Sequence, residues 1–268
     1  GADPDFSPYD WQTVASRATW MQGRAIAAAW TKAKRELCET AAAVFGVPVA
    51  AVEYARGRFS ARGADRAPLR LEQVCHGYVF PDGHVVGGPV VVAGHFVPPM
   101  TYPDPQTGQG ELAASWTLGC QGAEVEVDLR TGEVTVLRFS TAIDAGRVVN
   151  PRLARAQVVG AVAFGLGGAL TERVTYGPGG EIRNPTLTDY KVPTPEDLRD
   201  IELRVHLLET PVAGDPVGSR CLAEHATVAV APAIANAVAD ATGVEFYDVP
   251  LSAERVFLAL RAKREEGR

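Results

Sequence analysis

The position of Glu224 in the sequence makes it a candidate for chemistry. It follows a loop of mostly small residues, 218–223, and precedes an apolar run. The run is rich in Ala, Val and Ile and predicts a buried, closely packed helix that stops at Gly243. A carboxylate placed this way can act as a general base where partial burial raises its pKa. It can equally serve structure alone, because acids are favoured near the positive end of a helix dipole.

A second place for chemistry lies near the beginning of the chain, where Ser16 and Arg17 fall at the start of a long helical pattern. The pattern covers residues 13–45 and predicts one helix, with a break expected near Gly23 and a stop at 46–48. Backbone N–H groups at a helix start attract anions, and Ser and Arg add further donors. The alternative is an ordinary N-terminal segment with both side chains in solvent.

A third segment, 156–172, combines Gln157 with several glycines in a helical pattern. The glycines do not form a dinucleotide-binding fingerprint, because that motif needs a turn between a strand and a helix. Glycines on one face of a helix instead let another backbone or a cofactor approach closely.

The remaining pattern predicts both helices and strands. Short strands and a brief helix at 71–77 are expected over 51–99, and the polar loop 101–111 is expected to separate two lobes. Alternation at 123–128 and 134–139 around a turn at 130–133 predicts a hairpin. A strand at 201–208 and a closing helix at 250–263 complete the prediction.

Five segments, taken in order, resemble the molybdenum hydroxylases, the xanthine dehydrogenase and aldehyde oxidase family. They are PYDWQTVASRAT at 8–19, EVEVDLRTGEV at 124–134, DAGRVVNP at 144–151 with AQVVG at 156–160, NPTLTDYKVPT at 184–194, and GSRCLAE at 218–224. The chain is similar to the C-terminal half of the large molybdopterin-binding subunit, so residues 1–268 are expected to form the second molybdenum cofactor-binding domain. Arg220 stands where the family has Lys, Ala223 where it has Gly, and Phe164 where it has Gln.

The resemblance implies an α+β fold, a two-lobed molybdopterin-binding domain of mixed sheets packed with long helices, with lobes expected at 1–104 and 105–268. It implies that Glu224 is the catalytic general base and that no side chain ligates the metal. It implies cofactor binding by seven residues: Ala15, Ser16, Arg17, Ala18, Gln157, Leu222 and Ala223. The implied cofactor is molybdenum–molybdopterin, either plain or as the cytosine dinucleotide, with [2Fe-2S] and FAD on partner subunits.

The activity implied is oxidative hydroxylation of a small heteroaromatic or aldehyde substrate with water as the oxygen source. We expect activity only with a subunit carrying the first molybdopterin half, an iron–sulfur subunit and an FAD subunit, whether the chain is a natural split subunit or a fragment. Two alternatives stay open. One is a non-catalytic subunit that clamps the cofactor or assists assembly, and the other is a reductive dehydroxylase of an aromatic thioester.

Composition narrows the classes of partner. A net charge of −6 without a Lys/Arg block argues against nucleic acid, and the apolar stretch 158–170 is short for a bilayer span. No signal-peptide pattern occurs, so a cytoplasmic location is expected. The four cysteines form no C-x-x-C pair, which argues against a local iron–sulfur or zinc cluster: Cys38, Cys75, Cys120 and Cys221.

Overall fold

The computed structural model describes residues 3–7, 9–10, 12–212 and 215–266, so positions 8 and 11 of the first family segment lie outside the described residues. The chain forms two compact units, Gly1–Trp20 with Met100–Arg268, and Met21–Pro99. The first unit draws residues from both expected lobes, 1–104 and 105–268, and that lobe division stays a prediction. Helices and strands are mixed throughout, which confirms the α+β class.

The helix α1 covers Ala18–Phe45, and its first three residues belong to the first unit. The predicted start at residue 13 was wrong, because Ala15 and Ser16 adopt left-handed backbone angles that a right-handed helix cannot contain. Gly23 does not break the helix. The stop is as predicted, since Gly46 follows Phe45 with a positive φ of 69°.

The second unit packs α1 against two small antiparallel sheets. The first contains β1 (Val52–Ala55), β2 (Arg58–Ala61) and β3 (Leu69–Arg70), and the second contains β4 (His76–Val79) and β5 (Val85–Pro89). The short helix α2 covers Leu71–Val74, as the sequence predicted within three residues. The core of this unit consists of buried side chains from α1 and the sheets: Leu37, Cys38, Ala41, Val44, Phe59, Leu69 and Val74.

The first unit is built on a three-stranded mixed sheet. β6 (Gly119–Val127) pairs antiparallel with β7 (Val134–Asp144), which confirms the predicted hairpin, and β8 (Glu202–Leu208) pairs parallel with β7. The helices are α3 (Pro151–Leu170), α4 (Pro195–Arg199), α5 (His225–Val228), α6 (Val230–Thr242) and α7 (Ala253–Glu266). A parallel connection from β7 to β8 brings the carboxyl end of both strands to the same sheet edge.

Packing between helices and sheet explains why α6 forms here. Val230, Ile234 and Val238 recur at helical spacing and are fully buried, whereas the alanines between them flank this stripe. Full burial of each such side chain stabilises the fold by about 1.5–3 kcal/mol relative to leaving it exposed. Gly165 of α3 lets α6 approach, because a Cβ there would lie 2.5 Å from the Cβ of Val230.

The helix α3 is long and apolar enough to cross a membrane by length and composition, and it is the one such helix within the described ranges. The sequence prediction that residues 158–170 are too short for a bilayer span underestimated this helix, because the helix already starts at Pro151. Val158, Val162 and Ala169 are fully buried in the first unit. This is the behaviour of a core helix, so α3 is not a membrane span.

Candidate functional site

A pocket of about 540 Å³ lies in the first unit, at the sheet edge where β7 ends. The lining residues come from the segment before α1, the turn after β7, the start of α3, and the loop before α5: Thr13, Val14, Ser16, Ala18, Thr19, Ala145, Arg147, Val148, Val149, Asn150, Leu153, Ala154, Gln157, Ser219, Arg220, Leu222, Ala223 and Glu224. Residues that lie up to 211 positions apart in sequence thus meet at one place.

Most residues that the resemblance selected lie at this pocket. Six of the eight line it: Ser16, Ala18, Gln157, Leu222, Ala223 and Glu224. The two others, Ala15 and Arg17, do not line it. The Arg17 guanidinium donates to the Gln12 carbonyl over 3.1 Å, so it serves the local turn.

Glu224 and Ser16 are joined by two hydrogen bonds. The Ser16 hydroxyl donates to Glu224 Oε2 over 2.8 Å, and the Glu224 N–H donates to Ser16 Oγ over 2.9 Å. The segment before α1 is therefore tied directly to the loop before α5. The connection depends on a backbone that non-glycine residues rarely adopt, since φ is 55° at Ala15 and 52° at Ser16.

The helix-dipole explanation of Glu224 does not account for its side chain. Glu224 precedes the four-residue helix α5, yet its carboxylate makes no capping hydrogen bond and binds Ser16 instead. The predicted helix after Glu224 is interrupted at Ala229, where φ is −98° and ψ is 5°. Glu224 is exposed, so the partial burial expected of a general base is not supplied by the described residues of this chain.

The loop before Glu224 is held against the turn that follows β7. The Arg147 N–H donates to the Gly218 carbonyl over 2.6 Å, and the Arg220 N–H donates to the Ala145 carbonyl over 2.9 Å. Gly146 makes this approach feasible: its φ is +59°, and a Cβ there would lie 2.4 Å from the Gly218 oxygen.

Asp144, at the end of β7, joins three segments below the pocket. Its Oδ1 accepts from the N–H of Gly146 at 3.0 Å and of Thr210 at 3.2 Å, and its Oδ2 lies 3.2 Å from Arg220 Nε. Burial by itself raises the pKa of the Asp144 carboxyl. Hydrogen bonds from Gly146 and Thr210 outweigh burial and, with the positive charge of Arg220, lower the pKa below its ordinary value.

The helix α5 is fixed by two side chains that sequence reasoning did not select. Gln121 Nε2 of β6 donates to the Ala226 carbonyl over 2.7 Å, and Thr227 Oγ1 donates to the Ala161 carbonyl of α3 over 3.2 Å. Ala226 is fully buried. No local sequence signal marks Gln121, because its partner lies 105 positions away.

The donor set of the pocket fits an anionic, hydrogen-bonding group such as a pyranopterin with its phosphate. Ser219 is 3% exposed and lines the pocket, and its Oγ has no hydrogen-bond partner among the described residues. The first turn of α1 contributes Ala18, and the first N–H groups of a helix lack intrahelical partners. Arg147 and the amide of Gln157 add donors.

Comparisons with known proteins agree with this fit. A family model described as molybdopterin cofactor-binding domain matches residues 1–199. The carbon monoxide dehydrogenase large chain of Hydrogenophaga pseudoflava is 28% identical over 263 residues, which are 97% of this chain and 31% of that protein. The xanthine dehydrogenase molybdenum-binding subunit of Escherichia coli O157:H7 is 37% identical over 140 residues, which are 52% of this chain and 18% of that protein.

The fold has solved counterparts as well. A structure of reconstituted CO dehydrogenase from Oligotropha carboxidovorans matches with a TM-score of 0.77 at 21% identity, covering 98% of this chain and 31% of that one. The chain thus spans less than a third of the length of each of these relatives. Because the family model matches well over half of the chain, this protein belongs to the molybdopterin cofactor-binding domain family of the xanthine dehydrogenase and aldehyde oxidase type.

Proposed function

We propose that this chain is the part of a molybdenum hydroxylase that holds the second side of the molybdopterin and supplies Glu224 as general base. The substrate proposed is a small heteroaromatic compound or an aldehyde, and water is the oxygen source. The observation that supports the proposal is the meeting of Glu224, Gln157 and Ser219 at one pocket. When bound, molybdopterin supplies the redox chemistry that protein side chains lack.

The chain's own residues have separate tasks in this proposal. Ser219 and Gln157 donate hydrogen bonds to polar edges of the pterin, and Arg147 with the start of α1 attracts its phosphate, plain or extended by a cytosine nucleotide. Ala18, Leu222 and Ala223 shape the wall with small or apolar side chains. The Glu224 carboxylate accepts the proton that a water-derived nucleophile must lose.

The proposed activity requires further polypeptide chains beside this one. A pocket whose candidate base is exposed does not by itself exclude water from the reaction. We therefore assign the remaining pocket wall to a subunit with the first molybdopterin half, and electron removal to a [2Fe-2S] subunit and an FAD subunit, all in the cytoplasm.

A second candidate is a non-catalytic subunit that clamps the cofactor or assists assembly. The exposure of Glu224 favours it, since the burial typical of a catalytic carboxylate is not provided by this chain. In this case Ser219, Gln157 and Arg147 would keep their roles, whereas Glu224 would serve only to tie the loop to Ser16.

The two candidates are separated by Glu224→Gln in the complex purified from the native host, with Glu254→Gln on the exposed face of α7 as a matched control. A catalytic base predicts a loss of turnover of about 10²–10⁴-fold with the molybdenum content unchanged. Turnover is followed with aldehydes and N-heteroaromatics and a dye as electron acceptor. Turnover equal to that of the control would favour the clamp, and a metal-free chain recovered alone would refute both.

A further inference from the structure

We infer that Ser16 is a positioning residue that determines which oxygen of Glu224 accepts the proton. The inference rests on the proposed role of Glu224 as general base. It assigns to Ser16 a task other than holding the cofactor, which was the role implied by the family resemblance.

The contacts make the two carboxylate oxygens of Glu224 unequal. Oε2 accepts the Ser16 hydroxyl proton at 2.8 Å, and among the described residues no side chain or N–H donates to Oε1. Oε2 is therefore anchored, and Oε1 keeps its lone pairs for a group in the pocket that Glu224 lines. A general base must lie within hydrogen-bond reach of the proton it takes, so fixing one oxygen fixes the direction offered by the other.

In the second hydrogen bond Ser16 is the acceptor, so its hydroxyl both donates to Glu224 and accepts from it. Ser16 Oγ accepts the N–H of Glu224 itself at 2.9 Å, so one hydroxyl holds both the backbone and the side chain of the same residue. Rotation of the carboxylate away from Ser16 would leave the hydroxyl without its acceptor. The serine thus restrains the side-chain torsions of an exposed glutamate that packing does not fix.

The backbone at Ser16 supports a specific role for the hydroxyl. Ala15 and Ser16 both have positive φ, which is costly for residues with a Cβ and persists where surrounding contacts compensate for it. The two bonds to Glu224 are contacts of this kind. Replacement by Ala keeps the strained backbone and removes the hydroxyl, whereas replacement by Gly removes both, so the pair separates the two contributions.

The hydrogen bonds of the Ser16 hydroxyl show whether it can both position Glu224 and donate to a bound cofactor. A serine hydroxyl has one proton and two lone pairs. In Ser16 the proton goes to Glu224 Oε2 and one lone pair takes the Glu224 N–H. Ser16 can therefore accept one further hydrogen bond but has no proton left to donate to an oxygen of a bound group.

The first test measures hydrogen exchange at the Glu224 amide, by mass spectrometry on the purified complex. Loss of the acceptor in Ser16→Ala and in Ser16→Gly is expected to speed exchange about tenfold, the factor that corresponds to one ordinary hydrogen bond. Ser60→Ala serves as the control, since Ser60 is exposed on β2 and its side chain has no hydrogen bond within the described residues. Unchanged exchange in both Ser16 variants would overturn the inference.

The second test uses turnover by the same variants. A misdirected base lowers kcat about tenfold or more with KM and molybdenum content unchanged, and the loss is the same in the Ala and Gly variants. Loss of molybdenum in Ser16→Ala would assign Ser16 to cofactor holding and overturn positioning. If Glu224→Gln retains turnover, the proposed function fails, whereas amide exchange still reports on the Ser16 anchor. If Glu224→Gln is inactive and Ser16→Ala has normal kcat, only this inference fails.

Discussion

Replacing Asp144 tests how the turn after β7 and the Arg220 loop, which both line the pocket, are held together. Both backbone bonds of this carboxylate end on Oδ1, from Gly146 and Thr210, whereas Oδ2 faces the Arg220 guanidinium. Asp144→Ala removes all three interactions. Asp144→Asn keeps an oxygen that can accept both N–H groups and removes only the charge. The two variants therefore separate the hydrogen bonds from the ion pair.

The magnitude follows from burial. The Asp144 side chain is 11% exposed and the Arg220 side chain 21%, so the pair is shielded but not dry. Breaking a buried pair costs about 3–5 kcal/mol, and this pair should fall near the lower limit. We therefore expect Asp144→Ala to destabilise the first unit by about 3 kcal/mol. Asp144→Asn should cost about 1–2 kcal/mol, because the neutral amide oxygen still accepts both bonds.

The pH dependence has a definite sign. The folded-state pKa of Asp144 is lower than its ordinary value, so its contribution to stability is complete above the unfolded pKa of about 3.9. This contribution is lost as the pH falls through the folded pKa. The stability difference between the wild-type protein and Asp144→Asn should therefore be constant near neutral pH and shrink below about pH 4.

Thermal unfolding of the complex and urea titration of the chain measure both effects. At about 2–4 °C per kcal/mol, Asp144→Ala should lower the melting temperature by roughly 6–12 °C. The control is Glu265→Ala, which breaks an exposed pair with Arg261 whose side chains are 67% and 60% exposed. Such a pair contributes about 0–1 kcal/mol. A loss in Asp144→Ala no larger than in this control, or equal losses in the Ala and Asn variants, would refute the reasoning.

Two further substitutions test the backbone and the packing around the site. Ala15→Gly should stabilise the folded chain by roughly 1 kcal/mol, because glycine accepts the left-handed φ of 55°, and a melting temperature at or below that of the wild-type protein would contradict this. Gly165→Ala should destabilise by about 1–3 kcal/mol, because its Cβ would overlap Val230, whereas Gly160→Ala, with open space at the Cβ, serves as the control. Equal effects of Gly165→Ala and Gly160→Ala in urea titrations would contradict close packing of α3 on α6.

Sequence patterns predicted the secondary structure where it is set by local residues. The β6–β7 hairpin was predictable because alternation and a turn lie within one short segment, and α2 and β8 were found for similar reasons. The start of α1 was missed, since residues 13–17 continue a helical pattern although their backbone turns the other way at Ala15. The interruption at Ala229 was missed because alanine is a strong helix former and carries no signal for a break.

The candidate site residues were selected by residue identity and not by contacts, and their roles stay predictions. Motif register selected Glu224 and Ser16 separately, and six of eight selected residues do line one pocket. Asp144 lies in the family-like segment 144–151, but nothing in the sequence indicated that its carboxylate would meet Arg220. Ser219 lies in the family-like segment 218–224, but the sequence predicted no role for it. Its proposed role rests on a buried hydroxyl that has no hydrogen-bond partner among the described residues, which is a property of the fold.

The fold brings together elements that are far apart in sequence, and each of them restrains a different part of the Glu224 segment. Asp144 lies at the sheet edge and pairs with Arg220, and the loop that contains Arg220 leads to Glu224 at the pocket. The last restraint on Glu224 comes from Ser16, 208 positions earlier. A base held by its loop from one side and by a hydroxyl from the other keeps its direction without being buried. Exposure of Glu224 is therefore compatible with its proposed role as general base when a further wall excludes water from Oε1.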